Sequence, residues 1–129
     1  MPLDYAAALD KATQERGFTS IQLIAPNGTD ERLSQITAKA RGLIYAVARS
    51  GVTGADSDFG GIASFIQRIR ARTEVPIAVG FGVRRPADIA CLKGIADLAV
   101  VGSASLQAFQ EGGESRFRAF WAAMASASH

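Results

Sequence analysis

Apolar positions along this chain alternate between two periods, one helical and one nearly continuous. Residues 3–16 place Tyr5, Leu9 and Ala12 on one side of a helix. Residues 19–25 then read as a strand, stopped by Pro26-Asn27-Gly28. Thr29 has the chemistry of an N-cap, and Asp30 and Glu31 follow where the helix dipole favours anions. Leu33, Ile36 and Ala40 supply the inner face of that helix, and Gly42 ends it. A second strand spans 43–48. A helix over 61–72 carries Ile62, Phe65, Ile66 and Ile69 at spacings of three, four and seven. A third strand, 76–80, runs into Gly80-Phe81-Gly82, and Pro86 suits the first turn of a short helix through Lys93 that Gly94 closes. A fourth strand, 96–101, ends at Gly102-Ser103-Ala104. The last helix is expected over about 114–125, burying Phe117, Trp121 and Met124.

The pattern is one helix followed by four strand-helix units. Continuous apolar strands separated by amphipathic helices call for an α/β fold, a parallel sheet covered by helices. Two architectures satisfy it. One is half of a (β/α)8 TIM barrel, whose full length is typically ~250 residues. The other is an open doubly wound parallel sheet. At 129 residues the chain reads as a single domain over 1–129, and its 48% hydrophobic content is enough for a core.

Charge and cysteine content narrow the functional classes. The net charge of +2 is mild, and Arg68, Arg70 and Arg72 alternate with apolar residues, which reads as a solvated helix face. No aromatic stacking platform accompanies them, so no nucleic-acid partner is expected. Cys91 stands alone in an apolar helical stretch and reads as a core residue; neither a disulfide framework nor a metal spacing is present. No apolar run reaches the ~18 residues of a membrane span, so the expectation is a cytoplasmic protein without membrane, metal or cofactor.

Chemistry is expected where strands run into helices, because both architectures bind ligands at the carboxyl ends of their strands. Three of the four loops there carry glycine: Gly51 and Gly54, Gly80 and Gly82, and Gly102. Glycine lets main-chain N–H groups approach a ligand closely, and successive amides at a helix N-terminus form an anion-binding concavity. Ser103 adds a hydroxyl beside Gly102. Three such loops at one end point to phosphate.

The most specific stretch is "RSGVTGA", residues 49–55. With "APNGTDER" upstream, and "PIAVGFG" and "AVVGSA" downstream, it resembles the tryptophan synthase α subunit in order and spacing. The resemblance runs from the first helix to the last, and it covers the carboxyl-terminal half of that family's barrel. It implies retro-aldol cleavage of indole-3-glycerol phosphate to indole and glyceraldehyde 3-phosphate, a lyase step of tryptophan biosynthesis. It further implies a substrate lid at Arg49, Gly51 and Thr53, with Thr53 orienting a catalytic carboxylate. Gly54, Gly82, Gly102 and Ser103 match positions around the phosphate, Tyr45 a tyrosine near the reacting carbons, and Phe81 an aromatic beside the pocket.

One departure limits the activity. The cleavage needs a base for the glycerol hydroxyl and an acid for the indole ring carbon. The family carries these two carboxylates on its first and second strands, which have no counterpart here, so no catalytic residue is assigned. Asp56 and Asp58 follow the lid and read as solvated or capping carboxylates. Arg84 and Arg85 stand where the family has small polar residues, which removes a helix cap. A curved four-strand half would expose two edges and an apolar interior. Dimerisation, or a complementing half-barrel, would close it. Two readings follow. One is the phosphate-binding half of an indole-3-glycerol phosphate lyase, inactive alone. The other is a non-catalytic homodimeric half-barrel that binds phosphate or phosphorylated ligands.

Overall fold

The computed structural model describes residues 3–47, 59–80 and 82–129. Helix α1 (Leu3–Gln14) leads into β1 (Gln22–Ile24), α2 (Asp30–Lys39), β2 (Ile44–Val47), α3 (Phe59–Arg70), β3 (Ile77–Gly80), α4 (Pro86–Leu92), β4 (Leu98–Val100) and α5 (Ser103–Ser128). The alternation is the one the apolar periodicity predicts. The strands are shorter than the apolar runs that contain them, because only their central residues find a ladder partner. Thr29 caps α2 as expected, its Oγ1 accepting from the Arg32 N–H at 3.2 Å.

All four strands are parallel, in the order β1-β2-β3-β4. Register places Leu23, Tyr45, Ala78 and Leu98 in one row, and Ile24, Ala46, Val79 and Ala99 in the next. Alternation then sends these two rows to opposite faces. The face of Ile24, Ile44, Ala46, Ile77 and Val79 packs against Leu33, Phe65, Ile66, Ile69, Leu92 and Met124 from the helices. Ile44, Ile66, Ile69, Ile77 and Val79 are fully buried, and each such burial contributes about 1.5–3 kcal/mol.

The opposite face is uncovered. Leu23 on β1 is 64% exposed and Leu98 on β4 49% exposed, with Val100 and the preceding Ile21 also open. A doubly wound sheet would have helices on both faces and a reversal in strand order. Neither is present among the described residues, so the doubly wound alternative is set aside. The fold is half of a TIM barrel: four strands in sequence, helices α2 to α5 on the convex side, and an apolar concave side that the described residues leave uncovered.

Three local expectations are corrected. The expected helix does start near residue 114, after non-helical backbone at Gly112 and Gly113 (φ +62), but an unexpected helical stretch from Ser103 precedes it, and α5 comprises both parts. The first part carries Leu106 and Phe109 outward and buries only Ala108, so it has no core-facing apolar period to read. Trp121 is 38% exposed, not buried, although Met124 and Phe120 of the same helix do join the core. Cys91 lies on the exposed side of α4 rather than in the core.

The arginines of α3, and Arg72 just after it, are more engaged than a solvated face implies. Arg68 bonds Asp30 at 2.7 Å and Arg72 reaches the same carboxylate at 3.3 Å, tying α3 to α2. Arg70 holds Asp97 at 2.5 Å. Asp97 also accepts the Ile77 N–H at 2.8 Å, which fixes the start of β3 against the turn before β4. The Arg70 hydrogen bond, followed by that of Ile77, holds the Asp97 carboxyl below its usual range. Among the described residues, no helix is long and apolar enough to cross a membrane.

Candidate phosphate site at the strand ends

The carboxyl ends of β3 and β4 are neighbours, with Gly80 paired to Val100. Both strands run into backbone suited to an anion. After β3, Gly82 takes φ +74, a left-handed conformation that L side chains rarely adopt. After β4, Gly102 is the N-cap of α5 and Ser103 its first residue. The Ser105 and Leu106 N–H groups donate to the Gly102 carbonyl at 3.0 and 3.3 Å. The N–H groups of Ser103 and Ala104 therefore lie ahead of the helical ladder, at the positive end of the helix. A Cβ built on Gly82 or Gly102 would meet no atom within 4 Å, so the space beside both is open to a ligand.

Tyr45 lies on the concave face and reaches toward this end. It sits in the row of Ala78, one pleat below Gly80, and its ring leans forward over Gly80. A Cβ at Gly80 would stand 1.7 Å from the tyrosine hydroxyl oxygen and 2.2 Å from Cζ. The absence of a side chain at position 80 is what lets the phenol reach the strand ends. Residue spacing alone does not reveal this role of Gly80, because the contact joins two strands.

The turn between Gly82 and α4 is held by a residue that sequence reasoning passed over. Asp88 is buried, and its Oδ2 accepts the N–H groups of Arg84 and Arg85 at 2.8 and 2.9 Å. The arginines do remove the side-chain cap, as expected, since no side chain caps the N-terminus from Arg85. The loss is offset from the third helical position, where an acidic residue reaches back to the cap backbone. An acid three residues after the cap position was the available signal. The guanidinium of Arg85 lies 3.5 Å from the other Asp88 oxygen, and the side chain of Arg85 remains largely exposed.

Of the predicted site residues, Tyr45, Gly82, Gly102 and Ser103 gather at one end of three adjacent strands, β2, β3 and β4. Arg49, Gly51, Thr53, Gly54 and Phe81, together with Asp56 and Asp58, lie outside the described residues. A separate pocket of about 220 Å³ opens between β1, α2 and α3, lined by Leu23, Leu33, Phe65 and Arg68 among others. Ile24, Leu33 and Phe65 of the core form part of its wall, and Arg68 there is already bonded to Asp30 and to the Gly28 carbonyl. It carries none of the anion-binding backbone found at β3 and β4.

Residues 1–127 match the family model for the tryptophan synthase alpha chain. The chain belongs to that family. A tryptophan synthase alpha chain of Syntrophotalea carbinolica is 42% identical over 118 residues, which are 91% of this chain and 45% of that one. One from Desulforapulum autotrophicum is 41% identical over 114 residues, again 45% of its length. Among solved structures, a chain of tryptophan synthase from Mycobacterium tuberculosis superposes with a TM-score of 0.84 at 35% identity, covering 99% of this chain and 49% of that one. The alpha subunit from Pyrococcus furiosus gives 0.81 at 28% identity, over 98% and 52%. The sequence thus spans about half the length of the tryptophan synthase alpha chains it matches.

Proposed function

We propose that this chain is the phosphate-binding half of an indole-3-glycerol phosphate lyase, inactive until the barrel is completed. One observation carries the reading: Gly82 and the Gly102-Ser103 helix start follow the ends of the neighbouring strands β3 and β4, with open space beside both glycines. In this reading the Gly82, Gly102 and Ser103 N–H groups and the Ser103 hydroxyl hold the phosphate of the substrate. Oriented amides and a helix N-terminus favour a dianion without needing a metal or cofactor. Gly54 and Phe81 complete the pocket wall, and Tyr45 approaches the bond that breaks. Arg49, Gly51 and Thr53 form the lid. The base and the acid of the retro-aldol step come from the part of the barrel outside this sequence, because carboxylates on the first two strands have no match within it. The chain acts as a single unit over 1–129. Its partners are the phosphorylated substrate and whatever closes the barrel.

Binding and turnover are tested separately. Titrating the chain with inorganic phosphate and with glycerol 3-phosphate is expected to move the amide NMR signals of Gly82, Gly102, Ser103 and Ala104. Unmoved signals at millimolar ligand overturn the site. Indole release from indole-3-glycerol phosphate by the chain alone is expected to be undetectable. Turnover by the chain alone that Thr53→Ala or Asp56→Ala abolishes would place the catalytic groups here and reject this division of labour. A second reading, a homodimeric half-barrel that binds phosphate without catalysis, is favoured by the uncovered concave face, and solution mass separates the two.

A further inference from the structure

Helix α5 consists of two helical parts, residues 103–111 and 114–128, joined by non-helical backbone at Gly112 and Gly113. The second part is docked on the core by Phe120 and Met124. The first part is not, since Ala108 is its one buried residue while Leu106 and Phe109 are exposed. Yet this first part carries Ser103 and Ala104, whose N–H groups face the anion in the reading above. At about 1.5 Å per residue, Ser103 lies about 12 Å from Glu111, so a tilt of about 10° at the kink moves its N–H by about 2 Å. That exceeds the tolerance of a hydrogen bond. We propose that the Gly112-Gly113 kink is the positioning element of the anion site, with Gly113, Arg116 and Phe117 as positioning residues that act from outside it.

Backbone, ion pair and rings all converge on this kink. Gly113 (φ +62, ψ −154) occupies a region essentially restricted to glycine, and such conformations persist only where their surroundings over-determine them. Gly112 is bare for a steric reason, because a Cβ there would stand 2.7 Å from Arg116 Cβ and 2.8 Å from its Cδ. The Arg116 stem thus lies across the chain, and its guanidinium reaches back to Glu111 at 2.9 Å. The other Glu111 oxygen accepts from Gln107 Nε2 at 2.7 Å. Phe109 and Phe117 meet edge to face with centroids 6.1 Å apart. Eight residues of straight α-helix would separate them by about 12 Å along the axis, so it is the bend that brings them together. From Phe117 the ring contacts run to Trp121 and on to Phe120, at 6.4 and 5.7 Å, and Phe120 packs on the core. A relay of rings therefore ties the first part of α5 to the core. Exposed ion pairs contribute little, so Gly113 and this relay carry most of the constraint.

The proposal rests on the phosphate reading of Gly102 and Ser103, and its test separates the two. Gly113→Ala is made once with L-alanine and once, through a synthetic carboxyl-terminal peptide, with D-alanine. Inverting the Gly113 dihedrals gives ordinary polyproline II backbone, so they suit the D residue and not the L residue. Residual dipolar couplings of amides 103–111 are measured in the full chain without ligand, relative to those of β3 and β4. They are expected to change with L-alanine and with Phe117→Ala, and to stay with D-alanine and with Phe117→Tyr. Inorganic phosphate should bind the L-alanine variant more weakly by about tenfold or more, and Phe117→Ala by about threefold or more. Circular dichroism and the protection of the Arg84 and Arg85 amides should match the parent, since the core and Asp88 are untouched. Couplings unchanged in every variant overturn the proposal. So does equal phosphate affinity in the parent and all variants, or equal weakening by L- and D-alanine. A parent whose Gly82, Gly102 and Ser103 amides ignore phosphate rejects the site reading instead, and the couplings still decide whether the kink fixes the helix.

Discussion

The Tyr45 hydroxyl occupies the space that a side chain on Gly80 would need: a Cβ there would lie 1.7 Å from the phenolic oxygen. The two residues sit on neighbouring strands and the same face, so the aromatic ring and the bare backbone form one contact. Gly80→Ala is expected to destabilise the chain by about 1–3 kcal/mol through overpacking. Tyr45→Ala should relieve most of that penalty in the double variant. Urea midpoints for the four proteins of this cycle measure the coupling, and additive effects would show that the ring is not held there.

Ser103 allows the phosphate role to be separated from the structural one. Ser103→Asp puts a carboxylate at the first residue of α5, where the helix dipole stabilises it by about 0.3–1 kcal/mol. The same charge should repel a phosphate and weaken its binding by at least about tenfold. Thermal unfolding and phosphate titration are thus expected to move in opposite directions. A variant that binds phosphate like the parent sinks the site.

Asp88 is buried beneath the turn after Gly82 and accepts two backbone N–H groups, those of Arg84 and Arg85. Hydrogen bonds to a charged acceptor contribute about 1.5–3 kcal/mol, and removing the acceptor leaves both donors without it. Asp88→Ala should lower stability by about 2–3 kcal/mol and release the Arg84 and Arg85 amides to hydrogen exchange. Unchanged protection at these two amides would show that the carboxylate does not hold the turn.

Asp97 links stability to acid pH. Its folded pKa lies below the unfolded value of about 3.9, chiefly through the Arg70 hydrogen bond and then that of Ile77. The stabilisation is therefore present above the unfolded pKa and lost as pH falls through the folded value. Asp97→Asn should be less stable than the parent at pH 7, and the gap should shrink as pH drops below about 4. Urea midpoints at pH 7, 4 and 2.5 test this, and a gap independent of pH removes the linkage.

Much of this was legible along the chain. Helix α2 declares itself through Thr29, Asp30 and the Leu33 face, and α3 through Ile62, Phe65, Ile66 and Ile69, because these residues obey local rules of capping and period. The first part of α5 did not. Leu106 and Phe109 point away from the core, and a helix buried by Ala108 alone has no apolar stripe to detect. Trp121 and Cys91 failed for a related reason. Apolar character alone does not say which flank of a helix has a neighbour, and α5 has one flank without a partner.

The sequence by itself determined the order of the elements, the family through "RSGVTGA" and its companions, and the glycines that free the backbone at the strand ends. These are local properties, set by period, turn chemistry and φ freedom. Only the tertiary structure decided that the strands pair in simple succession with α2 to α5 on one side. The same set of apolar strands fits an open sheet or a half-barrel until pairing is known. Tertiary structure also brought Tyr45 over Gly80 and left Leu23 and Leu98 without cover, because contacts between strands depend on register, which residue spacing within one strand does not encode.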